Sequence, residues 1–179
     1  MDMSKSKQIL KSYFGFDSFR PLQQEIIDHV LLRKDVLVLM PTGGGKSICF
    51  QIPALMMEGT AIMVSPLISL MKDQVEALRA NGIAAEALNS ANDEFANRQI
   101  VERCLRGDVK LLYISPERLM TEQRWMQTML KVSLFAIDYN KDDMETIIDY
   151  NPNITKFCVM VGKWKIILIE KKELARELV

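Results

Sequence analysis

Val36-Leu37-Val38-Leu39-Met40 runs without a break into Pro41-Thr42-Gly43-Gly44-Gly45-Lys46-Ser47, and an amphipathic stretch, Ser47 to Met57, follows at once. A buried strand delivered through a glycine bend into a helix narrows the fold more than any other feature of this chain. Such a unit returns to the sheet through a helical crossover, which favours parallel pairing. The pattern then repeats. Further apolar, β-branched runs occupy Thr60 to Ser65, Ala84 to Leu88, Lys110 to Ser115 and Val132 to Asp138. Between them lie helical stretches at Leu67 to Ala80, Asp93 to Arg106 and Glu117 to Leu130. Near-continuous apolar strands spaced by helices predict an α/β fold, a doubly wound parallel sheet with helices on both faces. Two helical segments, Ser4 to Tyr13 and Pro21 to Arg33, precede the first strand. Pro21 suits a first helical position, and Leu22, Ile26, Ile27 and Val30 share one face.

Composition bounds this picture. The 179 residues are 49% apolar and 26% charged, enough for one domain with an appendage and a real core. Lys plus Arg and Asp plus Glu number 23 each, so no global basic field announces a nucleic acid, although local phosphate contacts need only a few residues. Cys49, Cys104 and Cys158 are scattered without zinc spacing and read as buried structural thiols. The chain has no long apolar run, and Met1 to Lys11 is polar and lysine-rich. The expectation is a soluble cytoplasmic protein with no membrane partner.

After Asp138 the alternation ends. Tyr139 to Asp143 is a polar break, Asp142 with Glu145 makes a capping box for a short helix through Tyr150, and Asn151-Pro152-Asn153 signals a loop. Lys156 to Val161 and Trp164 to Glu170 are β-rich and flank Gly162-Lys163, which fits a tight hairpin turn; Lys171 to Val179 is helical. The expected organisation is a domain over 1–138 and a divergent tail over 139–179 of helix, β-hairpin and short helix.

The glycine bend carries the chemistry. Successive small residues let backbone N–H groups curl around phosphate oxygens at a helix N-terminus. Thr42, Gly43, Gly44 and Gly45 form the bend, Lys46 is placed to reach the phosphates and Ser47 to put its hydroxyl on Mg²⁺. Met40 stands where the general pattern has its first glycine, so the match is to the helicase-type variant of the P-loop. Such a loop needs a metal-binding carboxylate at the end of another strand. The run Val132 to Asp138 ends in one, making Asp138 the candidate metal ligand beside Ser47 and, with Lys46, the candidate catalytic pair.

Leu10 to Ile26, with Phe14-Gly15-Phe16, Phe19-Arg20 and Gln23 inside it, resembles the N-terminal adenine-recognition motif of the RecQ-family DNA helicases. Met40 to Ser47 is similar to that family's motif I, Val64 to Gln74 to motif Ia, and Tyr113 to Leu119 to motif Ib. The resemblance covers residues 1–138. It implies a RecA-like P-loop fold, ATP and Mg²⁺ as cofactors, single-stranded DNA as partner, and hydrolysis coupled to 3′-to-5′ translocation in DNA repair and recombination. It implies that Gln23 reads the adenine edge while Arg20 and Phe16 pack on the base. Phe19 reads as core. Ser65, Lys72, Ser115 and Arg118 would face the DNA strand. For Lys72 and Arg118, a solvated helix face is an equally good reading of the residues alone.

One departure stands out. The family's motif II reads Asp-Glu-Ala-His, whereas Asp138 is followed by Tyr139-Asn140-Lys141. The absent Glu would polarise the attacking water, and a phenol with a pKa near 10 is a poor base at neutral pH. Asp142 and Asp143 are displaced too far along the chain to keep attack geometry. The sole histidine, His29, lies on the second helix and reads as a surface residue. The resemblance also implies a second RecA-like domain, or a partner chain, bringing an arginine across the cleft. The expectation is therefore an ATP-binding first motor domain of a RecQ-like helicase, truncated and deficient in hydrolysis and unwinding by itself. The alternatives are a nucleotide-dependent nucleic-acid-binding or regulatory module whose tail caps the cleft, and a non-functional helicase fragment.

Overall fold

The computed structural model describes residues 3–34, 36–40, 43–121, 132–138, 158–161 and 165–167. In chain order these form α1 (Met3–Phe14), α2 (Gln23–Leu31), β1 (Val36–Leu39), α3 (Lys46–Met56), β2 (Thr60–Val64), α4 (Ile68–Ala80), β3 (Ala85–Leu88), α5 (Glu94–Arg106), β4 (Leu111–Ile114), α6 (Pro116–Thr121), β5 (Val132–Asp138), β6 (Cys158–Val161) and β7 (Lys165–Ile167). One sheet holds the strands in the order β3-β4-β2-β5-β6-β1-β7. Every pairing is parallel except that of β7 with β1.

The strands are short and apolar because both faces are covered. Every residue of β2 and β4 is buried, the pattern expected of a sheet between two layers. Val36, Val38, Ala61, Met63, Ala85, Leu111 and Tyr113 face one layer with Ile26 and Val30 of α2, Cys49 and Phe50 of α3, and Met71 and Val75 of α4. The intervening residue Glu86 points the other way, as strand alternation requires, and pairs with Arg103 of α5 and with Arg79. A smaller apolar cluster, Leu10, Ile27, Ile48 and Ile52, ties α1 and α2 to α3, with the half-buried Phe19 packed against it. Asp93 caps α5 by accepting from the Ala96 N–H at 2.7 Å, and Gly107 closes that helix at φ 81°. Burial raises the thiols of Cys49 and Cys104 to about 12, which makes them inert packing groups. His29 is half-buried, its Nδ1 2.8 Å from the Glu25 carbonyl.

Two expectations need correction. Pro21 does not open α2. The backbone N–H of Gln23 donates to Arg20 O at 3.2 Å while Gln23 Oε1 accepts from the Arg20 N–H at 2.8 Å. That tight turn consumes residues 20–23 and pushes Leu22 into the left-handed region at φ 72°. Leu22 is consequently 50% exposed instead of joining Ile26, Ile27 and Val30 on the buried face. A branched side chain at that φ costs about 1–2 kcal/mol, of which glycine's extra chain entropy returns part. Leu22→Gly is expected to stabilise the chain by about 0.5–1 kcal/mol, a melting temperature higher by roughly 1–4 °C in a thermal scan. A lower melting temperature would show that the leucine is not strained.

The second correction concerns the tail. β6 and β7 do not form a hairpin with each other; they flank β1 on opposite sides. Val36 to Leu39 pair with Cys158 to Val161 in parallel register, and Leu37 to Leu39 pair with Lys165 to Ile167 antiparallel. Each strand thereby gains a ladder with a core strand, whereas a free hairpin would leave both outer edges open. The alternative in which these strands cap the cleft as a separate hairpin is not what the sheet shows. The expected helices over residues 142–150 and 171–179, and the turn at Gly162-Lys163, lie outside the described residues, as do residues 122–130 of the expected Glu117 to Leu130 stretch.

Candidate nucleotide site

Parallel strands all point their C-terminal ends at one edge, and ligand clefts of α/β sheets form there. The glycine bend springs from that edge between β1 and α3. Gly43 and Gly45 hold φ of 79° and 82°, conformations that favour glycine. At Gly45 a Cβ would also lie 2.5 Å from Gln23 Nε2. Two side chains from the turn before α2 latch the bend. Arg20 Nη1 donates to the Gly43 carbonyl at 2.6 Å, and Gln23 Nε2 donates to the Gly45 carbonyl at 2.9 Å. In a trans peptide C=O and N–H point opposite ways. Tying these carbonyls back toward α2 therefore turns the N–H groups of Gly44 and Lys46 away from it.

Lys46 and Ser47 are the first residues of α3, where the helix presents unpaired N–H groups and the positive end of its dipole. Lys46 Nζ reaches back across the bend from a half-buried position to the Met40 carbonyl at 3.3 Å. A cleft of about 590 Å³ opens beside it, lined among others by Phe16, Arg20, Gln23, Lys46, Ser47 and Ser65. That size suits a nucleotide-sized ligand. Phe16 is 52% exposed at its mouth, whereas Gln23 is buried.

Asp138 closes β5. Its backbone is in register with Met160, which is in register with Val38 of β1. Two strand spacings, roughly 10 Å, separate the Asp138 and Val38 backbones, so the carboxylate-bearing residue and the bend share one edge of the sheet. Thr42 lies outside the described residues. A hydroxyl at Ser47 and a carboxylate at Asp138 are hard oxygen donors of the kind Mg²⁺ takes alongside phosphate oxygens.

The four residues expected to face nucleic acid are arranged less simply. Ser65 and Ser115 are buried, and their hydroxyls accept from the Leu67 and Arg118 N–H groups, each at 3.4 Å. They shape the turns into α4 and α6 because a hydroxyl at a strand exit finds the next helix's free N–H groups first. Lys72 is exposed, 4.0 Å from Glu76. The Arg118 guanidinium is paired with Glu94 at the start of α5. Sequence reasoning did not single out Glu94, nor Gln51, a buried amide set among Ile48, Cys49, Phe50 and Ile52; that lone polar residue in an apolar run was the available signal.

Residues 20–159 match the DEAD/DEAH box helicase family. The chain belongs to that family. The match runs past Asp138 and takes in the first two residues of β6. Over 149 residues the chain is 46% identical to the ATP-dependent DNA helicase RecQ of Pasteurella multocida, covering 83% of this chain and 24% of that protein. It is 49% identical over 142 residues to RecQ of Bacillus subtilis, covering 76% of this chain and 23% of the relative. The chain thus spans about a quarter of the length of these relatives. Among solved structures, the DUF1998 helicase MrfA bound to DNA superposes with a TM-score of 0.75 at 15% identity, over 99% of this chain and 29% of that one. A hypothetical ATP-dependent RNA helicase from Sulfolobus tokodaii superposes at 0.69 with 21% identity, over the whole of this chain and 55% of that one. At such identities the superpositions speak for the fold alone. Among the described residues no helix is long and apolar enough to cross a membrane.

Proposed function

We propose that this chain binds ATP with Mg²⁺ as the first motor domain of a RecQ-type 3′-to-5′ DNA helicase, and that by itself it hydrolyses ATP poorly and does not unwind duplex DNA. The latched glycine bend carries the reading. Its carbonyls are held away by Arg20 and Gln23, and a lysine and a hydroxyl stand at the head of the following helix. In this reading Lys46 exchanges its long contact with the Met40 carbonyl for phosphate oxygens, a charge-assisted bond. Gly43, Gly44, Gly45 and Thr42 supply the bend, while Ser47 and Asp138 hold the metal, which neutralises phosphate charge when bound.

Base recognition is compatible with the latch. Gln23 spends one amide hydrogen on Gly45 and one lone pair on the Arg20 N–H. A primary amide has a second hydrogen and a second lone pair, so an adenine edge can be read without releasing the loop. Phe16 offers an exposed ring for stacking. Single-stranded DNA would cross the turns into α4 and α6, using their backbone N–H groups, Lys72, and Arg118 once freed from Glu94. A second RecA-like domain, in a longer chain or a partner, would complete the cleft. The poor hydrolysis follows from Tyr139, which replaces the acid that activates water; loss of such a group costs about 10²–10⁴ in rate.

The test pairs calorimetric titration of the full chain with ATP, Mg²⁺ present, and a phosphate-release assay with single-stranded DNA. The expected result is saturable binding that favours ATP over GTP, with little turnover. Robust steady-state turnover would defeat the claim of deficiency, and absence of binding would defeat the site.

A further inference from the structure

Three residues that the nucleotide reading leaves unused meet beneath the cleft. Gln51 of α3 donates through Nε2 to Gln74 Oε1 of α4 at 3.1 Å and to the Tyr113 hydroxyl of β4 at 3.3 Å. Gln51 is 4% exposed and Tyr113 2%, in a layer otherwise built from Phe50, Met63, Met71 and their neighbours. The Phe50 ring meets that of Tyr113 edge-on, with centroids 6.4 Å apart. Gln74 and Tyr113 form part of the cleft wall.

Stability is a poor explanation for this cluster. Replacing both partners of a buried hydrogen bond by apolar groups of similar shape is often neutral or favourable. What the polar contacts add is position. One amide nitrogen spends both its hydrogens on two different elements, one bond near the long end of the normal range at 3.1 Å and the other just past it at 3.3 Å. A slide of α3 against α4 or β4 by a few tenths of an ångström breaks one of them. Each element also leads to a segment given a ligand above. α3 begins at Lys46 and Ser47, α4 follows the Ser65–Leu67 turn, and β4 runs into Ser115 and Arg118.

We infer that Gln51 is a positioning residue that holds the phosphate bend and the two strand-binding turns in one register, so that nucleotide at the head of α3 changes the grip on single-stranded DNA. The inference rests on the nucleotide and DNA reading above. Its energetic content is a coupling free energy between two sites, measurable as the ratio of DNA affinities with and without nucleotide. Packing alone would place the helices equally well but would not fix how far α4 follows α3.

The experiment measures anisotropy of a labelled oligothymidylate with the full chain, with and without a non-hydrolysable ATP analogue and Mg²⁺. Nucleotide affinity is measured separately. The unaltered chain is expected to show a nucleotide-dependent change in DNA affinity of about fivefold or more. In Gln51→Met, which keeps the volume and removes the amide, the change collapses below about twofold while nucleotide affinity stays within about threefold and the melt remains cooperative. Tyr113→Phe, which removes only the hydroxyl, is the second variant and loses coupling in the same direction. Coupling that survives in either folded variant overturns the inference. So does an unaltered chain that binds both ligands with independent affinities, which would leave the proposed function standing. An unaltered chain that binds no nucleotide sinks both together.

Discussion

Lys46→Ala is expected to weaken ATP binding in the presence of Mg²⁺ by about 30-fold to several thousand-fold while leaving the fold intact. Among the described residues the ammonium group's hydrogen bond goes to the Met40 carbonyl and is long at 3.3 Å, so little native structure depends on it. Alanine is also the better helix former at the start of α3. Binding is another matter. Removing one partner from a desolvated charge pair costs about 2–5 kcal/mol, because the phosphate left behind is buried without its counter-charge. Titration calorimetry against the analogue, with a thermal melt on the same samples, separates the two effects. An unchanged affinity with an unchanged melt would mean that the phosphates bind elsewhere, and the latched bend would then be only a turn.

The elements most visible in the sequence were those whose physics is local. Thr60 to Val64 and Leu111 to Ile114 are continuous apolar runs because each is covered on both faces. The bend at Gly43 to Gly45 declared itself through the residues that only a left-handed backbone and a close approach require. Asp93 and Gly107 bracket α5 by side-chain and backbone rules confined to one turn of helix. What could not be read depends on distant partners. β6 and β7 are short apolar segments whose composition suits a hairpin as well as it suits two ladders on β1, and the choice is made by a strand more than a hundred residues earlier. Leu22 looked like a core residue because the helical period places it with Ile26; the Arg20–Gln23 turn that excludes it is a side-chain bond no period encodes. Arg118 reads in sequence equally as a DNA contact or a solvated helix face, and its partner Glu94 lies on another helix. The Gln51 cluster joins residues from three elements, invisible to any reading that moves along the chain.

The largest gain of activity is expected from Tyr139→Glu. Asp138 ends β5 on the edge of the sheet from which the glycine bend rises, two strands from β1. A carboxylate on the next position in sequence restores the acid that family motif II carries there, and a carboxylate, unlike a phenol with a pKa near 10, is ionised and able to accept a proton at neutral pH. The expected result is phosphate release in the presence of single-stranded DNA faster by about 10²–10⁴ than in the unaltered chain. ATP affinity should be nearly unchanged, since a residue that acts on the attacking water contributes to the transition state more than to binding. The double variant Lys46→Ala with Tyr139→Glu should lose the gained turnover, which ties the gain to this cleft. If Tyr139→Glu binds ATP as before yet turns over no faster, the limiting group is the arginine of a complementary RecA-like domain, and the assignment of the deficiency to Tyr139 fails.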